Sequence, residues 1–248
     1  MKTMREWSNP FAGGTPAARA HATKMLLAAC VIVIALYFVP YAGFVTYPLR
    51  ILVTFIHEGS HALMALVLGG AVSSVAIQPD GSGVTMAGAG PGLPSMLVAS
   101  AGYLGATLYG ALVIGLLRRG IPGRALLLVT GALVGMVTLG VFLGLLATHN
   151  LFGLGWGCLL TLALGIAGWK LSPKVAGWFA AFIGVQCVAN AFFDLNTLFS
   201  LSVSTGVATD ARNMQSMTLI PAAFWAVLWL ATAVGMLWFV LRPGRKTA

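Results

Sequence analysis

The chain has 248 residues, 59% of them hydrophobic and only 8% charged, with a formal net charge of +9. Soluble domains carry about 25% charged residues, so this composition and a mean hydropathy of +0.94 leave no room for a soluble domain. The cations sit singly or in small groups at the ends of apolar runs, where Lys and Arg meet headgroups. The partner they imply is the lipid bilayer and not a nucleic acid.

The first 25 residues form a basic tail carrying Lys2, Arg5, Arg19 and Lys24. A helix needs about 20 apolar residues to cross a bilayer, and such runs place spans near 26–45, 49–69, 94–117, 125–147, 151–169, 175–199 and 219–241. The expected fold is an all-α polytopic integral membrane protein of about seven transmembrane helices, forming one domain over 26–241. The first run is longer than the 7–15 residues of a signal-peptide core, so it reads as a retained span. Residues 71–92, AVSSVAIQPDGSGVTMAGAGPG, are too polar and Gly-rich for a span. Short alternating pieces around a DGSG turn predict a membrane-associated β-hairpin. The THN turn at 148–150 separates two spans within 125–169, which hold no Asp, Glu, Lys or Arg. Glycines four apart in GALVG (131–135), GVFLG (140–144) and GLGWG (153–157) suit close helix packing. A polar loop, 200–217, carries Asp210 and Arg212, and residues 242–248 form a basic C-terminal tail. Cys30, Cys158 and Cys187 fall in apolar runs without CxxC spacing, which argues against a disulfide framework or a thiolate zinc site.

The second span contains HEGSH: His57, Glu58 and His61. Ionisable groups are costly in hydrocarbon and mark function. His57 and His61, at i and i+4, share one helix face and could bind one Zn2+. Glu58 lies about 100° around the helix, within reach of a zinc-bound water as general base without being a ligand. This is the H-E-x-x-H logic of zinc peptidases. Gly59 and Ser60 leave little bulk beside the motif, which would ease the approach of a substrate backbone. A catalytic zinc needs a third protein ligand. Of the candidates Asp80, Asp194, Asp210, His21 and His149, Asp194 leads, because it is the carboxylate inside a late apolar run. Asp210 is the alternative. Asp80 has a turn to build, His21 lies in the tail and His149 in a boundary turn. Asn190, one turn before Asp194, would bind substrate or oxyanion, or else bond a neighbouring helix.

HEGSHALMALVLGG followed by AVSSVAIQPDGSGVT resembles the site-2-protease family of intramembrane zinc metallopeptidases, in particular its compact bacterial branch. The resemblance is specific over residues 48–92. It implies that His57 and His61 are zinc ligands, Glu58 is the general base and a later span supplies an aspartate ligand. It also implies that residues 71–90 present an unwound substrate segment. The expected protein is then a zinc metalloendopeptidase, multi-pass in a bacterial inner membrane, acting on a membrane protein substrate. Here Ser60 stands where the family has Gly, and NAFFDLNTL lacks the Pro and trailing Gly of the family's late motif. Two other classes remain: a metal or proton transporter using the same polar residues, and an inactive protease-like scaffold. Few ionisable groups on other spans and no internal repeat argue against transport. The resemblance places the N-terminus inside, as the basic tail suggests, whereas the cations at Arg118, Arg119, Arg124, Lys170 and Lys174 favour the reverse for later loops. The sequence leaves the oligomeric state open.

Overall fold

The computed structural model describes residues 16–203 and 209–241, with side chains described over 23–36, 38–144, 147–189 and 209–241. The elements in chain order are α1 (Pro16–Phe38), α2 (Ala42–Val67), β1 (Ala71–Ile77), β2 (Gly83–Gly88), α3 (Leu93–Arg118), α4 (Gly123–Leu143), α5 (Leu145–Thr148), α6 (Leu151–Lys170), α7 (Pro173–Val203), α8 (Asp210–Thr218) and α9 (Ala222–Leu241). Pro and Gly punctuate them as backbone chemistry requires. Pro122 caps α4 in an extended conformation, Pro173 opens α7, and Gly120 follows α3 at φ +90°, a region open to glycine.

The expectation of a helical membrane protein with one hairpin holds, but a count of about seven spans does not emerge. Among the described residues four helices, α3, α4, α6 and α9, are long and apolar enough to cross a membrane. The polar residues His57, Glu58 and His61 dilute α2. The described apolar parts of α1 and α7, Thr23–Leu36 and Pro173–Ala189, are shorter. The link at 200–217 also differs from a plain loop: α7 runs on to Val203, and α8 begins at Asp210.

Large side chains such as Phe55, Ile51 and Leu127 fill the core, and the N-terminal part of α3 turns its small residues inward and large apolar ones outward. On α3, Ala99, Gly102, Ala106 and Gly110 are buried, while Leu108 and Leu112 are exposed. The glycine runs foreseen as packing faces join α4 to α6. Gly135 and Gly157 lie so close to Thr161 and Thr138 that there is little or no room for a Cβ. Gly140 and Gly144, at the far end of α4, sit against Val75 and Ser74 of β1. These glycines therefore also seat the hairpin.

The hairpin pairs β1 with β2 antiparallel from Ala71↔Gly88 to Ile77↔Gly83, with an irregularity between Val72 and Ser74. Its turn is written in Gln78-Pro79-Asp80-Gly81. The Gly81 N–H returns to Gln78 O at 2.9 Å, Gly81 takes φ +85°, and Asp80 Oδ1 accepts from Ser82 N–H at 2.9 Å. Proline then Asp then a left-handed Gly is a type I turn with a G1 bulge. A row of side chains along α2 holds that turn. Tyr47 Oη donates to Pro79 O at 2.5 Å, Arg50 donates to Asp80 O, and Thr54 Oγ1 donates to Gly81 O at 2.7 Å. Residues 47, 50 and 54 share one helix face, so the hairpin lies alongside α2, next to HEGSH.

Candidate metal centre

His57 and His61 lie side by side on α2, their rings edge to face with centroids 4.8 Å apart and their Nε2 atoms 3.1 Å apart. The third group of the cluster is Asp210, at the start of α8. Its Oδ2 lies 3.1 Å from His57 Nε2 and 3.3 Å from His61 Nε2. Among the described residues this trio forms the one group of His, Cys, Asp or Glu donors close enough to share an ion.

The triangle passes a geometric test. Three corners of a tetrahedron with metal–ligand bonds of about 2.0 Å are about 3.3 Å apart, and the three observed edges are 3.1, 3.1 and 3.3 Å. The tautomer of His61 also fits. Its Nδ1–H donates to Val98 O at 2.6 Å, which leaves Nε2, the nitrogen aimed into the triangle, as the one that could bind a metal. Such a hydrogen bond on the far nitrogen is the usual second support of a metal-binding imidazole.

Each donor is seated by its neighbours. Gly102 on α3 faces both imidazoles. A Cβ there would come within 2.2 Å of His57 Nε2 and 2.4 Å of His61 Nε2, so only glycine fits. Tyr103 meets the His57 ring edge to face at 4.9 Å and stacks on Trp229 of α9 at 5.2 Å. Asp210 opens α8, where a carboxylate suits the helix dipole. Thr209 caps that helix by accepting from Arg212 N–H at 3.3 Å. Ala211 and Met214 are buried in a cluster with Ala99, Ala222 and Trp229, which seats α8 with Asp210 beside the histidines. Burial alone would push the Asp210 carboxyl up, but hydrogen bonds from His57 and His61 outweigh it and hold the group well below the usual carboxylate range.

Glu58 is buried at 4% exposure, yet it borders the same cavity of about 600 Å³ as His57, His61 and Asp210. It lies off the triangle and under the hairpin. Thr85 Oγ1 donates to Glu58 Oε2 at 2.7 Å and lies 3.1 Å from Glu58 O. A Cβ on Gly83 would press on Glu58 Cγ and Oε1 at 2.6 Å, so glycine lets β2 lie directly on the carboxylate.

The other residues singled out by sequence fall in different places. Asn190 and Asp194 are on the helical backbone of α7, but their side chains lie outside the described residues, as does that of His21. His149 is exposed at φ +50° in the turn before α6. Asp80 builds its turn, and paired to Ser82 its carboxyl is held below the ordinary value. Gly59 and Ser60 do not open the site to a substrate. A Cβ on Gly59 would meet Val137 of α4, and Ser60 packs against Gly105 of α3, so both serve helix contact. Sequence reasoning missed Gly102, Tyr103 and Thr85. SAGYLG at 100–105 carried a small-residue signal for close approach, but nothing in it says that imidazoles fill the space.

No curated protein and no solved structure matches the chain. The family model described as Peptidase M50B-like matches residues 27–240, a stretch that contains α2, the hairpin and α8. The chain is therefore a membrane protein of the Peptidase M50B-like family, within the site-2-protease family.

Proposed function

We propose that this protein is an intramembrane zinc endopeptidase in which His57, His61 and Asp210 hold the metal and Glu58 is the general base. The observation that carries the reading is the donor triangle with edges of 3.1–3.3 Å, bordered by a buried carboxylate that is not one of its corners. Zinc at such a site supplies Lewis acidity, polarising a carbonyl and making water acidic enough to lose its proton near neutral pH. Glu58 would accept a water proton at Oε1, the oxygen not engaged by Thr85, and would return it to the leaving amine. His61 holds its own proton at Nδ1 against Val98 O throughout.

A helical substrate hides its peptide bonds, so the segment to be cut must be extended. The hairpin offers an edge for it. Both the N–H and the C=O of Ile77 are bonded to the Asn150 side chain, at 3.1 and 2.9 Å, so Ile77 is turned away from β2. In an antiparallel ladder the pairs alternate. Its partner Gly83, and Thr85 two residues on, then turn their main-chain groups away from β1. Asn150 occupies the outer edge of β1 at Ile77 and leaves the β2 edge for an incoming strand. The substrate in this reading is a membrane protein whose cut segment unwinds beside the bilayer.

The test is Glu58→Gln in detergent-solubilised protein, with fluorescently labelled casein as an unfolded polypeptide that needs no unwinding. Cleavage is expected to be abolished while one zinc per chain stays bound. Retained cleavage would remove Glu58 from the mechanism.

A further inference from the structure

We propose that Thr85 is a positioning residue for Glu58, so that the strand receiving the substrate also sets the geometry of the base. The inference rests on Glu58 being the general base. Glu58 lies on α2 at the border of the cavity, and a glutamate has three rotatable bonds to lose. Its described side-chain hydrogen bond comes from the hairpin and not from α2: Thr85 Oγ1 donates to Oε2 at 2.7 Å. The same hydroxyl lies 3.1 Å from Glu58 O, a second acceptor that is farther away than Oε2. Gly83, two residues earlier on the same face of β2, leaves the gap into which the Glu58 side chain fits.

The arrangement assigns the two carboxylate oxygens different work. Oε2 is held by Thr85, and Oε1 is free to receive a proton. A hydrogen bond to a charged carboxylate is strong and directional, so it selects one rotamer. Thr85 turns its main chain toward the open edge and its hydroxyl toward Glu58. A strand that pairs at Thr85 therefore docks on the residue that aims the base. The hairpin is itself fixed to α2 at its turn, through Tyr47, Arg50 and Thr54, which keeps Thr85 in register with Glu58.

The experiment compares wild type, Thr85→Val, Thr85→Ser and Glu58→Gln on labelled casein, with zinc content measured for each. Val keeps the β-branched shape and strand preference of Thr but has no hydroxyl; Ser keeps the hydroxyl. Misplaced catalytic groups cost up to about a hundredfold. Thr85→Val is expected to lower kcat by roughly ten- to a hundredfold with KM and the one zinc per chain unchanged, and Thr85→Ser is expected to recover most of kcat. A Thr85→Val enzyme within twofold of wild type in kcat overturns the inference. Equal losses in Val and Ser, or a loss carried by KM or zinc content, also overturn it, because a packing role would then suffice. Glu58→Gln separates the two readings. If it still cleaves, the base assignment has failed; if it is dead while Thr85→Val is fully active, only the positioning role has failed.

Discussion

Gly102 shows how one residue decides whether the imidazole pair can exist. Its missing side chain is the space taken by His57 Nε2 and His61 Nε2. Gly102→Ala is therefore expected to displace both rings and weaken zinc binding by at least the roughly 10- to 100-fold seen when supporting residues of metal sites are lost. Competition titration against a chromophoric chelator measures this, and an unchanged affinity would show that the rings have other room. HEGSH itself was legible in the sequence, because an i, i+4 histidine pair in an apolar helix is expensive and points one way. The role of Gly102 was not legible, because a glycine's work is set by what faces it across the helix boundary. The third donor was ambiguous for a related reason. The cost of a buried carboxylate in lipid favoured Asp194 by its place in an apolar run. Asp210, the alternative, stood in a polar link, and α8, packed against α3 and α9, brings it to the histidines.

At the scale of elements the hairpin carries most of the design. Its turn could be read directly from Pro79-Asp80-Gly81, and its position beside the motif follows from Tyr47, Arg50 and Thr54 on one face of α2. α8 was not readable as a helix. Nine residues give only Ala211, Met214 and Met217 as an apolar spacing, too short to separate from a loop, although Thr209 before Asp210 is a recognisable cap. Asn150 ties these parts to the helical frame: its side chain bonds Ile77 N–H and C=O and accepts from Gly153 N–H at 2.9 Å to cap α6. Asn150→Ala leaves buried backbone groups unpaired and is expected to cost about 1–3 kcal/mol. A denaturant or thermal melt in detergent reads that loss, together with faster hydrogen exchange along β1. A melt and exchange pattern equal to wild type would mean that Asn150 does not anchor the strand.

Over the whole molecule, the cations of the α3–α4 and α6–α7 links gather at the end away from the hairpin and α8, while Arg50 and Arg212 stay on the side of the polar cluster. Arg124 donates to Leu171 O at 2.6 Å and to Trp169 O at 3.1 Å, joining the start of α4 to the end of α6, and Arg118 reaches Val240 O at the end of α9. Arg119, Lys170 and Lys174 belong to the same end, an arrangement suited to anionic headgroups. The hairpin, Asn150 and α8 sit where α4 finishes and α6 and α9 begin. A core of large apolar side chains such as Phe55, Ile51 and Leu127, with small residues at the closest helix contacts, holds the helices between these two ends. Such a frame positions three donors from two distant stretches of chain, residues 57–61 and residue 210, and the function proposed here depends on their meeting at one ion. The most direct test is zinc stoichiometry in the purified wild type, Asp210→Ala and Asp194→Ala proteins. One zinc per chain in the wild type and in Asp194→Ala, with zinc lost in Asp210→Ala, is the expected result. Zinc retained in Asp210→Ala, or absent from the wild type, would contradict it.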